Sequence, residues 1–68
     1  MDTTTARGFA AKVAWYGHQS GRGVAPAVIA EAIELGLIRE VPRLGGYTAT
    51  KAGNAAEFGA EFAEFAAR

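Results

Sequence analysis

Residues 36–53, GLIREVPRLGGYTATKAG, decide how this chain is read. Gly36 suits the position just past a helix C-terminus, where a left-handed backbone brings glycine no Cβ clash. Residues 37–41 are short, branched and interrupted by Arg39 and Glu40, the pattern of a half-buried strand. Pro42 stops that strand or places it on an edge, because proline donates no ladder hydrogen bond. Gly45 and Gly46 take positive φ freely, so RLGG supplies a reversal. Residues 47–50 return as a second strand, and the Thr50 hydroxyl can cap the helix that follows.

Working outward, residues 26–35 read as a helix with Pro26 in its first turn, where the missing N–H is harmless. Val28, Ile29, Ala32, Ile33 and Leu35 take one side of it, with Glu31 and Glu34 on the other. HQSGRGVAP, residues 18–26, carries Gly21, Gly23 and Pro26 and reads as a loop. Before it, Ala6, Phe9, Val13 and Tyr16 recur at helical spacing over 5–18, with a threonine at 3, 4 or 5 as cap. Lys12 and Trp15 point the other way, which leaves the tryptophan either half-exposed or covered by another element. On the C-terminal side a helix is expected from 51 to about 67. Gly53 and Gly59 weaken it by up to about 1 kcal/mol each against alanine.

Helix, glycine, strand, glycine turn, strand and helix in this order resemble the back half of a winged-helix domain. The wording of residues 24–60 is similar to that of small prokaryotic winged-helix regulators. In that family a G-[LI]-[IL] step leaves the third helix and a [YF]-x-x-T-x-x-G step enters the last one. Here these are Gly36-Leu37-Ile38 and Tyr47-Thr48-Ala49-Thr50-Lys51-Ala52-Gly53. The resemblance implies an α+β, mostly helical, winged-helix-like fold: two helices, a β-hairpin wing and a C-terminal helix in one domain over 1–68. It is a shortened version. The family has three helices before the wing and this chain has room for two, so either the first is broken or HQSGRGVA holds a rudimentary turn.

Composition narrows the function. At 68 residues the chain holds one small core and buries only about 60% of its unfolded surface, so a staple is expected. It has no cysteine, which removes disulfides and thiolate metal sites and leaves self-association. The start lacks the apolar segment of a secretory signal, and no run is long enough for a membrane span, so a soluble cytoplasmic protein is expected. Seven basic residues balance seven acidic ones, so only the distribution of charge can support nucleic-acid binding.

That distribution favours the hairpin. Arg39 and Arg43 on the wing, Lys51 at the next helix start and Arg22 in the glycine loop are candidate phosphate contacts, joined by Lys12 of the first helix. The plainer reading is that the arginines are solvated strand positions paired with Glu40 and its neighbours. The family's recognition helix presents donors to base edges, whereas PAVIAEAIELG offers only Glu31 and Glu34 as charged groups.

Further on, Glu57, Glu61 and Glu64 form an acidic stripe beside an aromatic one of Phe58, Phe62 and Phe65. These rings either close the domain's own core or form a two-fold interface, the dimerisation that the resemblance also implies. An acidic and apolar stripe could alternatively dock on a basic protein surface. Catalysis finds no support. His18, the single histidine, precedes Ser20, but no orienting carboxylate or oxyanion site is marked. SGRG lacks the strand, the helix and the lysine of a nucleotide loop.

The sequence therefore points to a non-enzymatic binding module without cofactor or metal, and the resemblance implies a small winged-helix DNA-binding regulator acting through the basic residues of the wing and the first helix. The expected partner is DNA or a nucleic-acid-associated host protein. The alternative is a phage- or mobile-element-encoded inhibitor of a host complex, of anti-CRISPR type.

Overall fold

The computed structural model describes residues 5–59. Its elements are α1 (Ala6–Tyr16), α2 (Pro26–Glu34), β1 (Ile38–Val41), a 3-10 turn (Pro42–Leu44), β2 (Gly46–Ala49) and α3 (Lys51–Phe58). This α–α–β–β–α order is α+β and winged-helix-like.

Each helix end has a local cause. The Thr5 hydroxyl accepts the Gly8 N–H at 3.0 Å and starts α1, and Gly17 with φ 78° ends it two residues short of the expected His18. At the end of α2 the Gly36 N–H donates to the Ile33 carbonyl (2.9 Å) and the Leu37 N–H to the Ala32 carbonyl (3.1 Å). That is a Schellman closure, with Gly36 left-handed at φ 76° and the apolar pair Ala32 and Leu37 buried beneath it.

The two halves of the motif pair then meet in space. The Thr50 N–H donates to the Leu37 carbonyl at 3.1 Å, and the Thr50 hydroxyl donates to the Gly36 carbonyl. The same hydroxyl oxygen accepts the Gly53 N–H at 3.0 Å, capping α3. One side chain thus closes α2 against the start of α3. Thr50→Ala is expected to destabilise the domain by about 2 kcal/mol, from the lost cap and the orphaned Gly36 carbonyl. Thr50→Ser should restore most of it in thermal melts; equal losses from both variants would contradict the hydroxyl's role.

β1 and β2 are antiparallel, with Ile38 opposite Ala49, Arg39 opposite Thr48, Glu40 opposite Tyr47 and Val41 opposite Gly46. The reversal differs from the expected Gly-Gly turn. Pro42–Leu44 forms the 3-10 turn, Gly45 alone takes positive φ (69°), and Gly46 already belongs to β2. A third rung lies on the far edge of β2. Gln19 and Tyr47 exchange both backbone hydrogen bonds, at 3.0 and 2.8 Å. The loop expected to replace a helix therefore holds a bridge that braces the hairpin. Gly46 is the residue that lets it close: a Cβ there would lie 2.5 Å from the Gln19 carbonyl oxygen and 2.6 Å from His18 Nε2.

The core is Ala6, Phe9, Ala10 and Val13 of α1, Ala32 of α2, and Leu37 and Ile38 at the start of the hairpin. Val24, Val28, Ile29, Tyr47 and Ala49 pack around it, with Tyr47 edge-on to Phe9 at 6.1 Å. Tyr16, Ile33 and Leu35, expected on apolar stripes, are exposed. They lie at the last turns of their helices, past the reach of this small core. α3 also ends earlier than expected. Gly59 leaves helical geometry at φ 99° and ψ 157°, so the helix stops at Phe58 and does not run on unbroken towards 67. Residues 60–68 lie outside the described part. No described helix is long and apolar enough to cross a membrane.

Candidate interaction surfaces

Arg39 and Arg43 are both exposed on the hairpin, one in β1 and one in the turn at its tip. Glu40 follows Arg39 directly, and successive strand residues face opposite sides of a sheet, so the expected Arg39–Glu40 pairing does not form. Among the described residues neither arginine is held in an ion pair. Lys51 is exposed at the first position of α3, directly after β2. These three cations share the hairpin and its exit. Arg22 and Lys12 do not join them: Arg22 sits in the glycine loop and Lys12 midway along α1.

α2 takes the place of the recognition helix, and its solvent side is poor in donors. Ala27, Ala30, Glu31, Ile33 and Glu34 are exposed. None offers an N–H or O–H to a base edge. Beside α2 lies an open, mainly apolar groove lined by Val24, Pro26, Ile29, Ile33 and Tyr47, with Arg22 at its rim. Gly21 shapes its floor. With φ 78°, it brings the loop so close to Tyr47 and Ile29 that a Cβ would meet them at 2.9 and 3.0 Å. The groove was not legible beforehand, because it depends on residues 20–24, 26–33 and 47 meeting.

α1 and α3 form a clasp. Trp15 Nε1 donates to Glu57 Oε1 at 2.5 Å, and Phe58 meets the indole edge-on at 5.3 Å. Glu57 and Phe58, candidates for a partner interface, therefore have a partner within the chain. Glu61, Phe62 and Phe65, the other candidates, lie outside the described residues. Trp15 is only partly covered by the clasp, and remains 67% exposed.

His18 follows α1 and is half-buried, with its Nε2 buried and, among the described residues, without a hydrogen-bond partner. Ser20 does not approach it as a nucleophile would; its hydroxyl accepts the Arg22 N–H at 3.3 Å, a local turn contact. Among the described residues no cluster of three His, Cys, Asp or Glu side chains could hold a metal ion.

Set against family models, curated proteins and solved structures, the chain finds no match in any of them.

Proposed function

We propose that this chain is a cytoplasmic, non-enzymatic binding module, a shortened winged-helix regulator that meets duplex DNA through its hairpin. One observation carries the reading: Arg39 and Arg43 stand exposed on a hairpin whose second strand is braced on both edges, by β1 and by Gln19. A braced projection keeps two guanidinium groups in register with a phosphate backbone or a minor groove. Lys51 adds charge at the exit of the hairpin, while Arg22 and Lys12, apart from it in the loop and on α1, contribute only long-range attraction. With no donor on the solvent side of α2, the contact is to the backbone more than to base edges. Dimerisation through the C-terminal region, with Phe58, Phe62 and Phe65, would double the footprint.

Retention on mixed-sequence duplex across a salt series tests this. Affinity should fall as salt rises, and Arg39→Ala and Arg43→Ala should each lower the log–log slope by about 1. A chain that ignores duplex DNA even at low salt would end the proposal.

The apolar groove favours a second reading, contact with a protein. Its lining is mainly hydrophobic, and the exposed Glu31 and Glu34 lie on the same helix, so a host complex with a basic and apolar surface would fit. An inhibitor of anti-CRISPR type works in this way, and capture of a defined complex abolished by Ile33→Glu would support it.

A further inference from the structure

The inner side of α1 is given to Ala6, Phe9, Ala10 and Val13. At 3.6 residues per turn, Trp15, Gly8, Lys12 and Tyr16 fall within about 100° of one another: Trp15, Gly8 and Lys12 lie on the side away from the core residues, and Tyr16, the last residue of α1, lies at the border beside Phe9. All four are exposed, Trp15 by 67% and Tyr16 by 71%. The result is a cation flanked by two large rings, with a glycine beside it that raises no side chain.

Trp15 is also held. Its N–H is fixed to Glu57 and its ring meets Phe58, yet two-thirds of its surface stays open. A ring already fixed in place loses little freedom when something lies against it. We propose that this side of α1 binds single-stranded nucleic acid, with bases stacking on Trp15 and Tyr16 and Lys12 meeting the phosphate between them.

Charge and shape choose this occupant. A purely apolar partner would have to bury the Lys12 ammonium without a counter-charge, which is strongly unfavourable. An anionic chain that carries flat rings neutralises the ammonium and covers both aromatics in the same pose. Duplex DNA keeps its base faces inside the stack and has none to offer these rings. The Glu57 carboxylate beside Trp15 is engaged by the indole N–H. The proposal is independent of duplex binding by the hairpin, because it uses neither Arg39 nor Arg43.

Trp15 is the only tryptophan, so its fluorescence reports from the surface itself. Titrating the full chain with a thymidine oligonucleotide at low salt should quench the emission saturably. Tyr16→Ala should weaken that binding about tenfold. Lys12→Gln should weaken it severalfold and lower the salt slope by about 0.7, the value for one single-strand phosphate. Both positions are exposed, so the melting curve of each variant should match the parent's. The Arg39→Ala/Arg43→Ala double variant should keep the quench, which separates this surface from the hairpin. Absence of quenching, or a quench that Tyr16→Ala leaves unchanged, would overturn the proposal. So would quenching by phosphatidylcholine vesicles in place of the oligonucleotide, or by the protein's own concentration with a doubled mass in light scattering.

Discussion

Gly53→Ala is expected to lower the melting temperature by more than 10 °C, although alanine is the better helix former. In an open helix the swap would stabilise by up to about 1 kcal/mol. Here the added Cβ would lie 2.0 Å from the Leu37 carbonyl oxygen and 3.0 Å from its carbon. Those are backbone atoms, already engaged by the Thr50 N–H, so they cannot rotate away as a side chain would. Overpacking of this kind costs about 3 kcal/mol, at the upper end of the usual range. A domain of this length has a total stability of only about 3–10 kcal/mol. At about 4–8 °C per kcal/mol, the fall is then more than 10 °C. Ala52→Gly, one position away and exposed, should cost only about 1 kcal/mol. A Gly53→Ala protein that melts no lower than the parent would refute the close approach of α3 to the start of β1.

The other large effect is expected at Phe9. It is 2% exposed, it is the largest fully buried side chain among the described residues, and its ring meets Tyr47 of the hairpin edge-on. Phe9→Ala should cost about 3–5 kcal/mol through lost transfer energy and the cavity left behind. Against the stability typical of so short a domain, that leaves little or none. Urea titration should show the midpoint falling with an unchanged slope, or no folded baseline at all. Phe9→Leu keeps most of the contact and should lose much less. Equal midpoints for parent and Phe9→Ala would mean that α1 and the hairpin do not share a core.

What could be read in the sequence was the chemistry that acts within a few residues. A threonine at 3, 4 or 5 as the first cap, Thr50 as the last and Gly36 as a helix end follow from hydrogen-bonding groups three to five positions apart; the structure selects Thr5. The order of elements followed from them. What could not be read was set by residues far apart. Gly53 looked like a weak point of a helix, and only the approach of Leu37, sixteen positions earlier, shows why glycine is required. Gln19 carries no apolar signal of a strand, yet it pairs with Tyr47 because the loop returns to the edge of β2.

The site was legible to a similar degree. Arg39, Arg43 and Lys51 were placed correctly on the hairpin and its exit, because the turn chemistry around them is local. The groove beside α2 and the Trp15–Glu57 clasp were hidden, since both join distant segments. Gly59 shows the reverse error. Helical spacing of Phe58, Phe62 and Phe65 suggested one continuous stripe, but Gly59, extended at positive φ, ends the helix after the first ring.

Gln19 covers one edge of the small sheet, and among the described residues β1 has no strand on its other side. An uncovered edge is a template for another chain, and concentrated protein tests it continually. Here the edge is four residues long, carries Arg39 and Glu40 at its centre and runs directly into Pro42. Brevity, charge and proline are the features that stop strands from adding end over end. A charge at Arg39 therefore matters to the bare edge whatever the hairpin binds. An apolar residue there would remove one of the features that disfavour edge-to-edge pairing of copies, which limits the residues the position would accept.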